Sequence, residues 1–162
     1  MSIELVRDYL RPLGAEDRIQ EFNVSSATVE LAAQALGVIP ARIAKSLSFL
    51  VDGGCVLVVC AGDAKIDNSK FKGQFHTKAK MLTPEQVVEF TNHTVGGVCP
   101  FGVGPKVNTY LDVSLQRFDT VFPAAGSSNS AIELTCEELE RLANSLGWID
   151  VCKGWQTEED AV

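Results

Sequence analysis

Residues 43–61 read IAKSLSFLVDGGCVLVVCA and contain the strongest fold signal in the chain. Two apolar runs, 43–51 and 55–61, flank the turn sequence Asp52-Gly53-Gly54. Apolar runs of strand length around an Asp-Gly pair predict a β-hairpin, because both turn residues tolerate a left-handed backbone. We therefore expect a pair of antiparallel strands here.

Helix and strand signals alternate irregularly on both sides of this hairpin. Helices are predicted at residues 3–13, 29–36, 83–92 and 135–147, from apolar spacing and capping residues. Short strands are predicted at residues 19–24, 110–112, 120–123, 131–134 and 148–152. Regular βαβ alternation is absent, which argues against a doubly wound parallel sheet. The expected fold class is mixed α/β of the α+β type, with about four helices and six or seven strands.

Length and net charge indicate the number of domains and exclude some classes of binding partner. The 162 residues suit one domain, which we assign to residues 1–155 followed by an acidic tail at 156–162. The formal net charge of −7 opposes general binding to DNA. No apolar run reaches about 18 residues and no signal sequence is recognisable, so we expect a cytoplasmic protein that does not bind a membrane.

Familiar catalytic and cofactor motifs are missing. Five cysteines and two histidines show no metal-ligand spacing, so neither a metal site nor a cofactor is expected. Glycine-rich nucleotide motifs, HExxH and GxSxG are also absent. His93, at a predicted helix end, is expected at the surface or as a cap. Cys99 would need a distant partner to act as a nucleophile, and a free cysteine is more often structural.

Lys45 is the first candidate functional residue. It lies in a predicted strand and shares the alternation of Ile43, Leu47 and Phe49, so it points to the side of the large apolar residues. An ammonium on such a side needs water, a carboxylate or a ligand. The alternative is a lysine on the solvated face of a half-exposed strand.

Two loops are further candidates. Residues 95–105, VGGVCPFGVGP, are long for a connection, and their glycines allow backbone N–H groups to approach an ester carbonyl closely. Residues 124–130, AAGSSNS, could form a polar pocket wall. For the first stretch the alternative is a tight connector between helix and strand, which is the commoner case. The second stretch suits an ordinary hairpin turn equally well.

Three segments form a recognisable set: IAKSL at 43–47, TVGGVCPFG at 94–102 and GSSNSAIEL at 126–134. Their order and spacing resemble the YbaK / prolyl-tRNA synthetase-associated domain family. That family comprises trans-editing aminoacyl-tRNA deacylases related to the editing insertion of bacterial prolyl-tRNA synthetase. The likeness covers roughly residues 19–146, and the lysine together with the GxxxP loop is its specific combination.

The resemblance implies a mixed, partly closed sheet surrounded by helices. It also implies hydrolysis of the ester between a wrong amino acid and the 3′-terminal ribose of a tRNA, chiefly tRNA for proline. The family's functional lysine corresponds to Lys45 and its GxxxP loop starts at Gly96, so these two are the expected catalytic residues. The expected substrate-binding residues are Phe22, Gly97, Pro100, Phe101, Gly102, Ser128 and Asn129. The expected partners are the acceptor end of an aminoacyl-tRNA and prolyl-tRNA synthetase.

A basic segment at 64–80 fits a tRNA partner. It contains five lysines and one aspartate, so its net charge is +4 while the rest of the chain carries −11. Lys65, Lys70 and Lys72 could contact the acceptor-stem backbone, which requires charge and no base reading. The alternative is a solvated helix face.

The amino acid removed stays open. Cysteine-specific family members carry an aromatic hydroxyl near the position of Phe22 and an acid near that of Ala131, and this sequence has neither. Its serine-rich turn resembles members that remove small residues such as alanine. The alternative function is a non-catalytic module that binds a nucleotide or tRNA 3′ end, with Lys45 as a phosphate anchor.

Overall fold

The computed structural model describes residues 2–155, which form strands and helices in a mixed α/β arrangement. The strands are β1 (Ile19–Glu21), β2 (Ile43–Val51), β3 (Gly54–Ala61), β4 (Lys65–Ile66), β5 (Val107–Asp112), β6 (Thr120–Pro123), β7 (Ser130–Ile132), β8 (Leu134–Thr135), β9 (Trp148–Ile149) and β10 (Cys152–Lys153). The α-helices are α1 (Ser2–Leu10), α2 (Val29–Leu36), α3 (Asn68–Phe75), α4 (Pro84–Thr91) and α5 (Cys136–Leu142). The predicted fold class is confirmed. Several strands were not predicted as separate elements. They are only two residues long, which is too short to give a periodic pattern of apolar residues.

The predicted hairpin forms the centre of the fold. β2, from residue 44 to residue 51, pairs antiparallel with the whole of β3. The connecting residues Asp52 and Gly53 have φ values of 51° and 78°, as a type I′ turn requires. This turn twists in the same sense as the two strands, so the Asp-Gly pair sets their register.

The main sheet has six strands in the order β8-β6-β2-β3-β5-β9. Its pairs are antiparallel for β2–β3 and β6–β8, and parallel for β2–β6, β3–β5 and β5–β9. β7 pairs with β1 in a separate two-stranded sheet, so the chain passes from one sheet to the other between β7 and β8. The result is the curled mixed sheet that the resemblance implied.

Threonine side chains begin three of the helices. Thr83 and Thr135 form capping boxes with Gln86 and Glu138, as their spacing in the sequence predicts. Helix α5 ends before the predicted boundary at residue 147, because Asn144 adopts a left-handed φ of 51° that a helix cannot continue.

The basic segment contains α3. Phe71 is the buried residue of this helix, and its ring packs 4.8 Å from that of Phe49 and 4.7 Å from that of Phe75. With only two large apolar residues in NSKFKGQF, the helix has a weak amphipathic signal, and the sequence did not predict it directly.

One large apolar core packs α1, α3 and α5 against the main sheet. A smaller cluster joins α2 to Ile43 and Phe122, and another joins Leu82 and Val87 to Cys55. A cleft opens between these two smaller clusters. No helix among residues 2–155 is both long enough and apolar enough to cross a bilayer. The predicted acidic tail, 156–162, lies outside the described residues.

Candidate active site

A cleft of about 420 Å³ lies between α2 and α4, over the first part of β2. Its apolar walls include Ile43, Leu47, Leu82, Val87, Val98 and Phe122. Its polar side chains are Ser26, Thr28, Lys45, Ser46, Ser48 and Ser130. An apolar cavity of this size with a few polar groups is typical of a small-ligand site.

β2 leaves part of its outer edge unpaired in this cleft. β6 pairs with only the first two residues of β2, and segment 80–82 bonds to the backbone of Ser48 and Leu50. Ser46 lies between these two contacts. Because alternate residues of a strand direct their backbone groups to the same edge, Ser46 presents its N–H and C=O to the cleft. The Ser46 hydroxyl is buried without a hydrogen-bond partner among the described residues.

Lys45 lines the same cleft. Its Nζ donates hydrogen bonds to the carbonyl oxygens of Ala64 and, at 3.3 Å, of Gly62. The side chain is partly buried. Two backbone carbonyls thus provide the hydrogen-bond partners that an ammonium among apolar side chains requires. The third N–H of the ammonium remains for a ligand.

The loop after β3 that holds this ammonium is itself fixed on two sides. A Cβ at Gly62 would lie 2.1 Å from the carbonyl oxygen of Pro40, so the two backbones are in direct contact. Asp63 forms a bidentate ion pair with Arg117, with N–O distances of 2.6 and 3.1 Å. These contacts fix the carbonyl groups that orient Lys45.

The glycine loop (residues 95–105) and the serine turn (residues 124–130) lie against each other beside the cleft. Gly96 lines the cleft with a φ of 96°, and a Cβ there would lie 3.9 Å from the Cβ of Ser128. A Cβ at Gly97 would lie 3.1 Å from the backbone of Ser127. Glycine is therefore needed at Gly96 for its backbone conformation and at Gly97 for the close approach. The structure thus brings together Lys45, the glycine loop and the serine turn.

Backbone contacts dominate the rest of the serine turn. The carbonyl oxygen of Ser128 accepts a hydrogen bond of 2.6 Å from the N–H of Ser26. Asn129 exchanges two hydrogen bonds with the backbone of Phe22, at 2.8 and 3.0 Å. Phe22, Ser128 and Asn129 thus join two segments of chain, whereas Ala124 and Ser130 are the residues of the turn that line the cleft.

The other predicted site residues lie apart from the cleft. Phe101 is fully buried in the main core, and Pro100 and Gly102 line a separate depression. Lys65 and Lys72 are exposed, and neither lines the cleft. Lys70 donates to the carboxylate of Asp150 and to the carbonyl of Cys152, both at 3.0 Å.

His93 and Cys99 form a buried pair under the glycine loop. Neither has exposed surface, and the Cys99 Sγ lies 3.5 Å from the His93 Nε2. The surface position expected for His93 is therefore wrong, because its ring turns inward and bonds to the carbonyl of Phe101 at 2.7 Å. Burial raises the pKa of Cys99 to about 12, so the thiol stays protonated at neutral pH. A buried, protonated thiol outside the cleft is unsuited to nucleophilic attack.

Ser46 was not predicted from the sequence as a site residue. Period-two alternation places Ser46 and Lys45 on opposite faces of β2, so a ligand on either face would meet only one of them. Both residues line the cleft because it lies at the edge of the strand. The missing strand neighbour at this edge is a tertiary feature, and the local sequence carries no signal for it.

A model of the aminoacyl-tRNA editing domain family matches residues 24–142. That range includes Lys45, the glycine loop and the serine turn. The chain belongs to the aminoacyl-tRNA editing domain family. The family resemblance of the three segments is thereby confirmed.

Several known proteins resemble this editing domain. It is 55% identical over 157 residues to "Uncharacterized protein YwhH" of Bacillus subtilis (strain 168), covering 96% of this chain and 100% of the relative. It is 36% identical over 90 residues to the proline–tRNA ligase of Geobacillus sp. (strain WCH70), covering 55% of this chain but only 16% of the ligase. A crystal structure described as that of a candidate trans-editing enzyme for prolyl tRNA synthetase superposes with a TM-score of 0.85 at 30% identity, covering 94% of this chain and 98% of that one.

Proposed function

We propose that this editing domain is an aminoacyl-tRNA deacylase, which hydrolyses the ester between an amino acid and the terminal ribose of a tRNA. The observation that carries the proposal is that Lys45 and Gly96 line one apolar cleft. Membership of the editing-domain family supports the class of substrate. No histidine or cysteine lines the cleft among the described residues, so we assign the attack to water.

The proposed reaction needs few groups because an aminoacyl ester is already activated. The oxygen of water adds to the carbonyl carbon, and the carbonyl oxygen takes up negative charge. The bond to the ribose oxygen then breaks, and that oxygen leaves with a proton from the attacking water. The backbone N–H groups around Gly96 would stabilise the oxyanion, and Lys45 would hold the terminal phosphate or the ester end electrostatically.

The proposed substrate carries a small amino acid on tRNA for proline. The apolar walls of the cleft favour a small apolar side chain such as that of alanine or cysteine. The similarity to part of a proline–tRNA ligase supports the choice of tRNA. Editing is useful for such residues because a small apolar difference gives a binding discrimination of only about 10–200-fold.

The proposed tRNA contacts lie on the basic segment. Lys65 and Lys72 are exposed, so their charges are accessible to acceptor-stem phosphates. Lys70 would first have to leave its ion pair with Asp150. We therefore expect Lys65 and Lys72 to contribute more to tRNA affinity than Lys70.

Deacylation of a panel of esters tests the function. The panel is alanyl-, cysteinyl-, seryl- and prolyl-tRNA for proline, each incubated with wild type, Lys45→Ala and the control Lys106→Ala. Lys106 is exposed and does not line the cleft. We expect rapid release from one non-prolyl ester, a loss on the order of 10²-fold in Lys45→Ala, and no change in Lys106→Ala. Circular dichroism checks that each variant is folded.

Two outcomes separate the deacylase from the binding module. Failure of the folded wild type to release any amino acid from the four esters would overturn the deacylase proposal. In that case, binding of a non-hydrolysable 3′-aminoacyl adenosine that weakens in Lys45→Ala would support a module that holds the tRNA end without turnover.

A further inference from the structure

The glycine loop is closed at its base by a ladder of three hydrogen bonds. The bonds join Gly104 N to Phe90 O at 3.0 Å, Asn92 Nδ2 to Gly102 O at 3.1 Å, and His93 Nε2 to Phe101 O at 2.7 Å. The segment therefore has the form of an Ω-loop, with its two ends side by side. The bond from His93 is the one nearest to the loop tip, which we define as residues 94–100.

The loop tip carries the part of the loop that reaches the cleft. Gly96 lines the cleft, and Val95 beside it is 66% exposed. The tip has one internal hydrogen bond, of 3.0 Å, from Gly97 N to Thr94 O. With so little structure of its own, the tip takes its orientation from the base of the loop and from its contact with the serine turn.

His93 has the chemistry of a fixed hydrogen-bond donor. Because the carbonyl of Phe101 can only accept, Nε2 must carry the hydrogen of the bond between them. The ring's other nitrogen, Nδ1, is buried with no partner among the described residues. The backbone of His93 is also held, since its N–H donates to the Thr91 hydroxyl at 3.2 Å. Ring and backbone together fix one end of the loop tip.

We propose that His93 is a positioning residue for the deacylase site, whose bond to Phe101 keeps the backbone of Gly96 aimed at the ester carbonyl. The proposal rests on the deacylase function. His93 itself touches neither the substrate nor the cleft, so its effect passes entirely through the loop tip. An oriented backbone N–H acts mainly on the transition state, so the consequence of losing the bond falls on kcat.

Three variants separate the hydrogen bond from the packing of the ring. His93→Gln keeps an N–H donor, whereas His93→Leu keeps an apolar side chain of similar size without a donor. Cys99→Ala is the matched control, because it removes a buried side chain next to the same ring and leaves the bond to Phe101 in place.

The first measurement is kcat and KM for the cleaved ester, at a temperature where circular dichroism shows every variant folded. We expect His93→Leu to lose at least about tenfold in kcat with KM changed by less than about threefold. His93→Gln should recover most of this loss, and Cys99→Ala should stay within about threefold of wild type. A His93→Leu enzyme with unchanged kcat, or a Cys99→Ala enzyme equally impaired, would overturn the proposal.

The second measurement, amide hydrogen exchange, does not depend on activity. His93→Leu should accelerate exchange at residues 95–98 by at least about tenfold, while exchange in β3 stays as in wild type. Unchanged exchange at residues 95–98 would overturn the role of His93 and leave the deacylase function standing. Failure of the wild type to hydrolyse any ester would instead refute the function, with the exchange result still reporting on the loop.

Discussion

The ammonium of Lys45 lies 3.3 Å from the carbonyl oxygen of Gly62. Gly62 has no side chain, and the carbonyl of Pro40 occupies the space that a Cβ would need. The position of the Lys45 ammonium therefore depends in part on a residue that contributes only backbone.

Replacement of Gly62 by alanine is expected to impair both stability and activity. The added Cβ would lie 2.1 Å from the Pro40 oxygen, so one of the two backbones must move. We expect Gly62→Ala to lower the free energy of unfolding by about 2 kcal/mol or more and the deacylation rate at least tenfold, since the partner of Lys45 is displaced. Urea unfolding and single-turnover hydrolysis measure the two effects.

Gly73→Ala provides the contrast within the same protein. Gly73 is exposed in the interior of α3, and outside the helix backbone none of the described residues lies within 4 Å of the position that its Cβ would take. Alanine there should raise the free energy of unfolding by about 0.5–1 kcal/mol and leave activity unchanged. Equal behaviour of the two variants would contradict the tight contact between Gly62 and Pro40.

Ser46→Ala should separate stability from function. The Ser46 hydroxyl is buried without a partner among the described residues, so its removal should leave the free energy of unfolding unchanged or raise it by up to about 1 kcal/mol. The same change should raise KM several-fold if the hydroxyl bonds to the substrate. Ser114→Ala is the comparison, because the Ser114 hydroxyl accepts a hydrogen bond from Ala61 N at 3.1 Å and its loss should cost about 1–2 kcal/mol. An unchanged KM in Ser46→Ala would remove this residue from the site.

His93 should make the protein less stable in mild acid. Burial lowers the pKa of His93, an effect that outweighs the opposing hydrogen bond to Phe101. In the unfolded chain the ring has a pKa of about 6.5. Just below that pH the ring is protonated in the unfolded state but stays neutral in the folded state. The contribution of His93 to the free energy of unfolding is therefore complete above about pH 6.5. As the pH falls below this value, the contribution decreases by up to about 1.4 kcal/mol per pH unit.

Comparison with His93→Gln isolates this effect from other titrating groups. The difference in unfolding free energy between wild type and variant should change between about pH 6.5 and 5.5, with wild type losing more stability. A difference that stays constant over this interval would show that His93 titrates alike in the folded and unfolded chains.

Thiol labelling should distinguish the cysteines by burial. Cys136 is partly buried, whereas the other four are buried. At pH 8 a thiol with a pKa of about 12, such as Cys99, has a thiolate fraction of only about 10⁻⁴. We expect iodoacetamide to modify Cys136 first, with no loss of deacylation, and all five cysteines to react in urea. Rapid modification of Cys99 accompanied by loss of deacylation would instead support a mechanism in which the Cys99 thiol is the nucleophile.

The sequence predicted what local chemistry determines. The Asp52-Gly53 turn and the capping box at Thr83 depend on a few neighbouring residues, and both are confirmed. The burial of His93 could not be predicted, because its partner Phe101 is reached through the closure of the loop. The exposure of Ser46 to the cleft depends on where β6 stops pairing, which is a property of the assembled sheet.

The short unpaired edge of β2 also has a consequence for self-association. An exposed strand edge can pair with a strand from another molecule and start aggregation. Here β6 pairs with the strand on one side of Ser46 and segment 80–82 on the other, so the open edge spans too few residues for a foreign strand to add. This part of β2 can therefore keep free backbone groups at the cleft for a small ligand without offering an edge long enough to pair with a strand of another molecule.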